Sequence, residues 1–395
     1  MLSNRQLFLH YLAQTSPEPM MLEVSSAKGI YLFSPAGEKY IDLIAGVSVS
    51  ALGHSHPEII KSVKAQIDKN MHLMVYGEMV QSPQVRYARA LCGALGKGFE
   101  KVYFVNSGTE AIEGAIKISR KFTSRTEIIS FVNAYHGSTM GALSIMGGTK
   151  YKNGYYPLIP DTRQLNFNCP EELENITPKT ACVIVEPIQA EAGVVLPANS
   201  FLQKTRDRCN ETGTLLVFDE IQTGFGRTGE LFSFQKYKVK PDIIVLAKSL
   251  GGGMPLGAFV SSDTIMKCLS NNPALGHITT FGGHPVSCAA GFTTLNIIQK
   301  NSLHKATLKK EQIFRKNLIH PAIKEIRGTG LLMAIDLGTP EMMHRTVKMA
   351  LKNGLITDWF LFCDTSIRIS PPLNISEDEI LTSCRILIKS LEDSQ

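Results

Sequence analysis

Short apolar runs rich in β-branched residues recur through the middle of the chain, and segments with helical periodicity separate them. The runs that predict strands are Lys101–Val105, Glu127–Val132, Cys182–Val185, Leu215–Phe218 and Ile243–Leu246, with Gly257–Val260 as an edge or antiparallel strand. The segments that predict helices are 58–69, 82–95, 111–122 and 286–300. Strands that are apolar at nearly every position favour a parallel sheet covered on both faces. The pattern therefore predicts an α/β fold with a large, mixed and mostly parallel sheet.

The two ends of the chain have a different pattern. Near the N-terminus, two short apolar runs flank a turn that contains Gly37, which predicts a hairpin. After residue 300, helices and strands alternate with their own periodicity, and Ser376 begins a capping-box pattern before the last helix. We therefore predict an arm over residues 1–50, a large domain over 51–290 and a smaller α+β domain over 291–395. The arm is expected to contribute to the small domain.

Composition narrows the class of protein. The chain has 395 residues, of which 44% are hydrophobic, and its formal net charge is +6. It has no basic block with interleaved aromatic residues, so we expect no nucleic-acid partner. No apolar run approaches the roughly 18 residues that a membrane span requires, and the first residues do not resemble a signal peptide. We expect a globular protein of the cytoplasm that acts on small molecules.

The cysteines and histidines do not predict a metal site. The eight cysteines are scattered, without a C-x-x-C pair, and several lie in apolar runs. This distribution is typical of reduced, buried thiols in a cytosolic protein. His54 and His56 are two residues apart, but no cysteine or acid nearby completes a ligand set. We interpret them as part of a loop before the helix that begins near Pro57.

Two ionisable residues stand at the ends of neighbouring apolar runs. Asp219 ends the run that begins at Leu215, and Lys248 follows the next run, just before a stretch of three glycines. Ligands bind at the carboxyl ends of strands in open parallel sheets. A lysine that forms a Schiff base and an acid that keeps a pyridine nitrogen protonated are the side chains that pyridoxal phosphate needs. An ordinary buried ion pair is the other interpretation of the same two residues.

A second feature is the small-residue turn Asn106–Glu110 between a predicted strand and a predicted helix. Free N–H groups and the positive end of the helix dipole converge there, as in a phosphate site, and Ser107 and Thr109 add hydroxyl groups. A simple helix cap explains the same residues. Tyr135 and Glu186 also end predicted strands, so an aromatic ring and an acid are expected at the same edge.

The order and spacing of these features resemble one family, through nearly the whole sequence. The chain resembles the class III pyridoxal-phosphate-dependent aminotransferases, in particular the acetylornithine and ornithine aminotransferase branch, on the fold-type I scaffold. The segments that carry the resemblance are Asn106–Ala111, Tyr135–Gly137, Glu186–Gln189, Glu191–Gly193, Asp219–Gly229, Ala247–Lys248, Gly251–Ala258, Thr280–Gly283, and Arg368 with Pro371–Pro372.

The resemblance implies roles around the cofactor. Lys248 would form the Schiff base and then act as the base of the 1,3-proton shift, and Asp219 would pair with the pyridinium nitrogen. Gln222 would hydrogen-bond the phenolic oxygen, and the remaining cofactor contacts are expected at Ser107, Gly108, Thr109, Tyr135, Glu186, Ile221 and Thr280. Gly108 and Thr109, helped by Ser107, would bind the phosphate, and Tyr135 and Ile221 would sandwich the ring. Thr280 resembles a threonine that reaches the phosphate of the neighbouring subunit, which implies a homodimer with shared active sites.

The resemblance also implies how substrates bind, and here the chain departs from the family. Arg368 would clamp the substrate α-carboxylate, and Glu191 would pair with Arg368 until a dicarboxylic substrate arrives. Ser138 stands where related enzymes commonly carry an arginine that binds a substrate carboxylate. Val47 stands where ornithine-type enzymes carry a tyrosine. Together with Thr279, these residues are the expected substrate contacts.

The expected reaction is transfer of an amino group from an acetylornithine-like, ornithine-like or other ω-amino donor to 2-oxoglutarate or pyruvate, in ping-pong order. Arginine biosynthesis or related amino acid metabolism is the implied setting. The same lysine and aspartate also serve decarboxylating transamination, racemisation and aminomutase chemistry. A non-catalytic binding protein that kept the fold is a third interpretation, which the retained Lys248 and Asp219 disfavour.

Overall fold

The computed structural model describes residues 2–75, 77–198 and 200–395. Its strands are β1 (Ser26–Lys28), β2 (Tyr31–Phe33), β3 (Lys39–Asp42), β4 (Lys101–Val105), β5 (Glu127–Phe131), β6 (Thr162–Leu165), β7 (Thr180–Val185), β8 (Leu215–Asp219), β9 (Ile243–Leu246), β10 (Gly257–Ser261), β11 (Glu325–Thr329), β12 (Leu332–Asp336), β13 (Leu355–Ile356), β14 (Trp359–Phe360) and β15 (Cys363–Ile369). They form three sheets, one with seven strands and two with four.

The α-helical segments surround these sheets. They are α1 (Asn4–Tyr11), α2 (Ala45–Ser48), α3 (Pro57–Ile67), α4 (Ser82–Leu95), α5 (Gly108–Thr123), α6 (Met140–Ile145), α7 (Phe201–Thr212), α8 (Ser233–Tyr237), α9 (Asp263–Met266), α10 (Pro285–Lys300), α11 (Leu303–Asn317), α12 (Pro340–Lys352) and α13 (Glu377–Glu392). Short 3-10 turns cover Pro170–Asn175, Lys248–Gly251 and Lys267–Ser270. Among the described residues, no helix is long and apolar enough to cross a membrane.

The seven-stranded sheet has the order β4-β10-β9-β8-β7-β5-β6. Neighbouring strands from β9 to β6 run parallel, whereas β10 is antiparallel to both β4 and β9. Parallel neighbours require crossover connections, and helices such as α7 supply them. Because β8 and β9 are adjacent and parallel, their carboxyl ends, with Asp219 and Lys248, lie at the same edge of the sheet.

Both faces of this sheet are covered. Val217 in β8 packs in a core with Ile112 of α5, whereas Phe218 beside it packs in the opposite core with Phe201 of α7. Successive side chains of a strand point to opposite faces, so the alternation shows that each face has its own apolar layer. Every residue of β7, β8, β9 and β10 is buried. The predicted α/β class with helices on both faces is confirmed.

The two smaller sheets bring distant parts of the chain together. One has the order β1-β2-β3-β13, so the predicted N-terminal hairpin pairs in parallel with a strand from the C-terminal part. The other, β11-β12-β15-β14, carries Arg368 on β15. Helix α10 runs through residue 290, where we placed the boundary between the domains, and it packs against α3 and α4. The division into residues 1–50, 51–290 and 291–395 stays a prediction.

Local differences from the sequence prediction have physical reasons. Helix α5 begins at Gly108 rather than Ala111, because Ser107 already caps it. The antiparallel direction predicted for β10 is confirmed, but the strand lies inside the sheet. The sequence analysis did not identify α7 or β6. β6 is a short edge strand with polar residues, and α7 is markedly hydrophilic.

Candidate active site

A cavity of about 520 Å³ opens at the carboxyl ends of β8 and β9. It joins segments from six parts of the chain that are separated in sequence. The side chains and backbone that line it belong to Val49, Asn106, Ser107, Gly108, Thr109, Tyr135, His136, Gly137, Ser138, Glu186, Asp219, Ile221, Gln222, Ala247, Lys248, Gly253, Met254, Pro255 and Leu256. All the predicted cofactor contacts except Thr280 line this one cavity.

Lys248 is held in an unusual backbone conformation. Its φ of +50° lies in the left-handed region, which is uncommon for a residue with a side chain and is typical of functional sites. Its Nζ donates a hydrogen bond to Oε1 of Gln222 at 2.7 Å. Burial lowers the pKa of Lys248 to about 8; the charge of Glu191 opposes this shift, and the charge of Arg368 adds to it. Near physiological pH the uncharged fraction of this amine is therefore much larger than that of an ordinary lysine.

The next residue secures the backbone beside Lys248. The hydroxyl of Ser249 donates to the carbonyl of Ser48 at 2.7 Å. Ser48 ends the short turn α2, in which Ala45, Gly46, Val47 and Ser48 all have positive φ. This left-handed turn is costly for residues with side chains, so the surrounding structure must hold it in place.

Asp219 is 3% exposed, and each of its two carboxylate oxygens has a hydrogen-bond partner in the protein. Its Oδ2 lies 2.7 Å from Nδ1 of the buried His136, and its Oδ1 accepts a hydrogen bond from the backbone N–H of Ile221 at 3.0 Å. These contacts fix the orientation of the carboxylate. A buried carboxylate held in this way presents a fixed negative charge to the cavity.

The N-terminus of α5 forms one wall of the cavity. Ser107 accepts a hydrogen bond from the backbone N–H of Glu110, so it is the N-cap of this 16-residue helix as well as a lining residue. A Cβ on Gly108 would approach Cδ1 of Ile221 to 2.7 Å, and one on Gly137 would approach Oγ1 of Thr109 to 2.4 Å. Gly137, whose φ is +128°, is the more restricted of the two, whereas a side chain at position 108 would require Ile221 to move. The wall thus exposes backbone N–H groups and the positive end of a helix dipole.

Glu186 lies deep in the cavity wall. Its carboxylate accepts hydrogen bonds from the backbone N–H groups of Tyr135 and Ala190 at 3.2 and 3.3 Å. Burial raises the pKa of Glu186 well above its usual range, and the negative charge of Asp219 adds to that effect. The raised pKa favours the protonated, neutral form of Glu186.

Arg368 and Glu191 form a two-point ion pair. Nη1 and Nη2 of Arg368 donate to the two carboxylate oxygens of Glu191 at 2.7 and 3.0 Å, and both side chains are almost fully buried. Burial opposes ionisation of both groups. The mutual attraction prevails, so the pKa of Glu191 is lowered and that of Arg368 is raised. Neither side chain is among the residues that line the cavity, but the charges of both act on Lys248, which does line it.

The other predicted contacts are distributed differently. Ser138 lines the cavity, and its hydroxyl lies 3.3 Å from that of Tyr135. Val47 is half-buried in the turn α2, and Val49, two residues later, lines the cavity instead. Thr279 bonds to Asn106 at 3.1 Å and lines a separate surface depression, and Thr280 is exposed. Their roles stay predictions.

Two polar atoms test whether a pyridine cofactor fits. Nε2 of Gln222 and Nε2 of His136 are buried and find no partner among the described residues. Gln222 keeps an N–H free beside Lys248, as a donor to a phenolic oxygen requires. Together with the charge of Asp219 and the N-terminus of α5, the donor set fits a phosphorylated pyridine aldehyde.

Sequence reasoning missed two residues that the geometry singles out. His136 was part of a quoted motif without a role, yet it is the partner of Asp219. Asp358 received no attention, yet its Oδ1 accepts a hydrogen bond from Nε of Arg368 at 2.9 Å. A histidine between an aromatic residue and glycine at a strand end was a usable signal for the first. We find no sequence signal for the second.

Comparison with known proteins gives matches along nearly the whole chain. The sequence matches the family described as Aminotransferase class-III over residues 12–391. An acetylornithine aminotransferase of Methanopyrus kandleri is 37% identical over 372 residues, which cover 93% of each protein. An ornithine aminotransferase 1 of Staphylococcus aureus is 36% identical over 388 residues, 94% of each.

Solved structures agree with these matches. The ornithine aminotransferase of Toxoplasma gondii has a TM-score of 0.91 at 29% identity and covers 99% of this chain and 96% of its own. An ω-transaminase of Pseudomonas jessenii in complex with PMP has a TM-score of 0.91 at 25% identity and covers 100% of this chain and 98% of its own.

Proposed function

This chain belongs to the class III aminotransferases, and on that premise we propose that it binds pyridoxal 5′-phosphate at Lys248 and moves an amino group from an ω-amino donor to 2-oxoglutarate or pyruvate. Aminotransferases of this class depend on that cofactor, and the predicted fold-type I architecture is confirmed by the structural matches. The observation that carries the cofactor proposal is the convergence of Lys248, Gln222 and Asp219 in one cavity.

Each side of the cavity would hold a different part of the cofactor. The N-terminus of α5 with Gly108 and Thr109 would bind the phosphate, and Tyr135 and Ile221 would enclose the ring. Asp219 would face the ring nitrogen, and the free N–H of Gln222 would donate to the phenolic oxygen. When bound, pyridoxal 5′-phosphate would supply the electron sink that accepts the electron pair of the C–H bond at the substrate carbon bearing the amino group.

The protein's own groups would move and hold the protons. A Lys248 amine with a pKa of about 8 is uncharged far more often near neutral pH than an ordinary lysine, so it would take up the proton that leaves the substrate carbon bearing the amino group. The carboxylate of Asp219, oriented by His136 and the N–H of Ile221, would keep the ring nitrogen protonated. Together these two groups would supply the acid–base chemistry of amino transfer.

Arg368 and Glu191 would give the cavity two substrate modes. A substrate without an α-carboxylate near Arg368 leaves the ion pair closed, as it is here. A 2-oxo acid or glutamate would displace Glu191 and place its α-carboxylate on the two Nη atoms of Arg368. The resulting ping-pong cycle uses the closed mode for the amine donor and the open mode for the acceptor.

The residues around the cavity entrance bear on the donor. Ser138 offers a hydroxyl where related enzymes commonly have an arginine, so it supplies no positive charge for a second carboxylate. Val47 and the cavity-lining Val49 are apolar, which disfavours a free ammonium group next to them. We therefore propose a donor that relies less on a distal carboxylate than acetylornithine does.

We further propose that the active unit is a cytoplasmic homodimer. β4 is an edge strand, and two surface depressions that share Gly77, Val102 and Tyr103 run along it. Exposed apolar side chains surround them, among them Met79, Val80, Leu275, Ile278 and Phe281. An exposed apolar surface beside an edge strand is typical of a site that binds another protein. The exposed position of Thr280 is the one that a contact with a neighbouring subunit's cofactor requires. The eight cysteines are free thiols, as the cytoplasm favours.

The test is a panel of donors against acceptors with purified, cofactor-loaded protein. The donors are acetylornithine, ornithine, a diamine and glutamate, and the acceptors are 2-oxoglutarate and pyruvate. Each active donor should remove the cofactor's visible absorbance band, and an active acceptor should restore it. Lys248→Ala should abolish turnover and the cofactor adduct that borohydride reduction traps. Turnover by Lys248→Ala at the wild-type rate would overturn the assignment of Lys248.

A further inference from the structure

Arg368 is held by more than its partner Glu191. Oδ1 of Asp358 accepts a hydrogen bond from Nε at 2.9 Å, and the carbonyl of Trp359 accepts one from Nη2 at 3.0 Å. The guanidinium carbon lies 4.5 Å from the centre of the Phe360 ring. Three consecutive residues therefore contact three parts of one guanidinium group: its Nε side, one Nη and one face.

Trp359 and Phe360 form β14, which pairs with β15, the strand of Arg368, and Asp358 lies directly before β14. The backbone N–H of Arg368 donates to the carbonyl of Asp358 at 2.8 Å, and the hydroxyl of Thr357 donates to the carbonyl of Arg368 at 2.7 Å. Asp358 thus faces Arg368 across a short, directly bonded piece of sheet. Glu191 comes from the loop after β7, 177 residues away in sequence.

The two carboxylates occupy different sides of the guanidinium group. Glu191 takes the end formed by Nη1 and Nη2, and Asp358 takes Nε. A guanidinium group is planar and offers its donors in fixed directions, so the partner on Nε determines where the Nη end points. Asp358 is also less enclosed than Glu191, with 24% of its side chain exposed against 6%.

We propose that Asp358 is the positioning residue of the substrate clamp: it stays on Nε of Arg368 while Glu191 and the substrate α-carboxylate exchange on the Nη end. This inference rests on the proposed function, in which Arg368 binds that carboxylate. Asp358 itself does not touch the substrate. It keeps the fork aimed at one exchange position, so a carboxylate arriving there meets two donors already in place.

The arrangement also explains how the clamp opens without leaving a buried cation unpaired. Removing one partner from a buried ion pair is costly, because the remaining charge has no compensation. When Glu191 leaves, Arg368 still has Asp358 on Nε, the Trp359 carbonyl on Nη2 and the Phe360 ring on its face. The guanidinium group thus remains partnered and oriented during the exchange.

The test measures binding of glutarate to the cofactor-loaded enzyme by titration calorimetry. Glutarate carries two carboxylates and has neither an amine nor a carbonyl group to react. Asp358→Ala should weaken glutarate binding by about tenfold or more, the loss expected when a charged hydrogen bond that orients the clamp is removed. Asp358→Asn keeps an oxygen acceptor for Nε and should restore most of the affinity. The KM for 2-oxoglutarate should rise in parallel, with a smaller change in kcat.

Two further variants make the outcomes distinct. Asp242→Ala is the matched control, because Asp242 pairs with Arg206 at 2.7 Å with similar exposure, at the opposite end of β9 from Lys248. It should leave glutarate affinity unchanged. Arg368→Gln should abolish binding; if it binds glutarate as the wild type does, the proposed clamp itself fails. If Arg368→Gln loses binding but Asp358→Ala keeps wild-type affinity, Arg368 is the clamp and only the role of Asp358 is overturned.

Discussion

At the scale of single residues, the site is organised by pairs whose members are far apart in sequence. Asp219 and His136 are separated by 83 residues, and Lys248 and Gln222 by 26. The sequence predicted Lys248, Gln222 and Asp219 as site residues, because strand ends and family motifs mark them, and all three line one cavity. It did not identify His136 as the partner of Asp219, or Asp358 as the partner of Arg368. Such contacts depend on how segments pack, which local patterns do not record.

The first prediction concerns the charge on Asp219. Asp219→Asn removes the negative charge proposed to keep the cofactor nitrogen protonated, while an amide of the same shape remains. We expect the donor half-reaction to slow by about a hundredfold or more, the effect of losing one preorganised electrostatic contact, while the cofactor still binds. Stopped-flow absorbance of the cofactor band measures the rate, and equilibrium titration measures cofactor affinity.

Asp42 provides a control for this variant, because its burial and hydrogen bonds resemble those of Asp219. Asp42 is also buried, lies 2.8 Å from His54, and accepts backbone hydrogen bonds from Ile44 and Ala45. It is not among the residues that line the cavity. Asp42→Asn should lower stability in a similar way and slow the half-reaction far less. Equal slowing in both variants would assign the effect to lost structure rather than to the ring nitrogen.

The second prediction concerns the pKa of Lys248, which burial lowers to about 8 from 10.5. The amine bonds to an aldehyde only when it is uncharged. Below pH 8 most of the amine is protonated, and its uncharged fraction rises about tenfold per pH unit. The rate of cofactor capture by the apoprotein should therefore rise by about the same factor. Above pH 8 the rate should level off.

Capture can be followed by the appearance of the cofactor's absorbance band after mixing with excess pyridoxal 5′-phosphate. Nα-acetyl-lysine in the same buffers is the reference, because its amine is fully solvated. Its reaction should keep accelerating toward pH 10. A protein rate that also keeps rising to pH 10 would mean that Lys248 titrates as an ordinary lysine.

At the scale of helices and strands, the sequence located the long, strongly patterned elements well. β4 and α4 have the predicted bounds, and the capping box at Ser376 is present. Among the elements that were missed, β6 and α7 are rich in polar residues, so neither has a strong apolar pattern. The left-handed turn α2 had no signal at all, because only Gly46 among its four residues favours positive φ.

The third prediction belongs to helix α13. Ser376 accepts a hydrogen bond from the backbone N–H of Glu379, and Glu379 accepts one from the N–H of Ser376 at 2.8 Å. Ser376→Ala should lower the free energy of unfolding by about 1 kcal/mol, because the capping oxygen is lost. Ser376→Asp keeps such an oxygen and should remain near the wild type. Urea denaturation followed by circular dichroism compares them, and equal losses in both variants would show that the cap contributes little.

At the scale of the whole molecule, segments from the N-terminal and C-terminal parts of the chain pair with each other. The N-terminal hairpin β2-β3 pairs with β13 from the C-terminal part, and the backbone N–H of Ser370 donates to the carbonyl of Leu43 at 2.7 Å. Residues before α3 and residues after α12 are therefore held together by backbone hydrogen bonds. This long-range pairing could not be derived from the sequence pattern, because parallel pairing between distant strands leaves no local signature.

The last prediction tests whether two molecules share their sites. If Thr280 serves the neighbouring subunit's cofactor, each site needs Lys248 from one chain and Thr280 from the other. Lys248→Ala homodimers should be inactive, and Thr280→Val homodimers should bind the cofactor weakly. Co-expression with two affinity tags isolates the mixed dimer, in which one site combines both intact residues and the other has lost both. Its activity at limiting cofactor should be about half that of the wild type, because one of two sites is complete.

Thr279→Val is the control, since Thr279 bonds to Asn106 of its own chain, and pairing it with Lys248→Ala should give no such recovery of affinity. A mixed dimer no better than the Thr280→Val parent would mean that each chain builds its site alone.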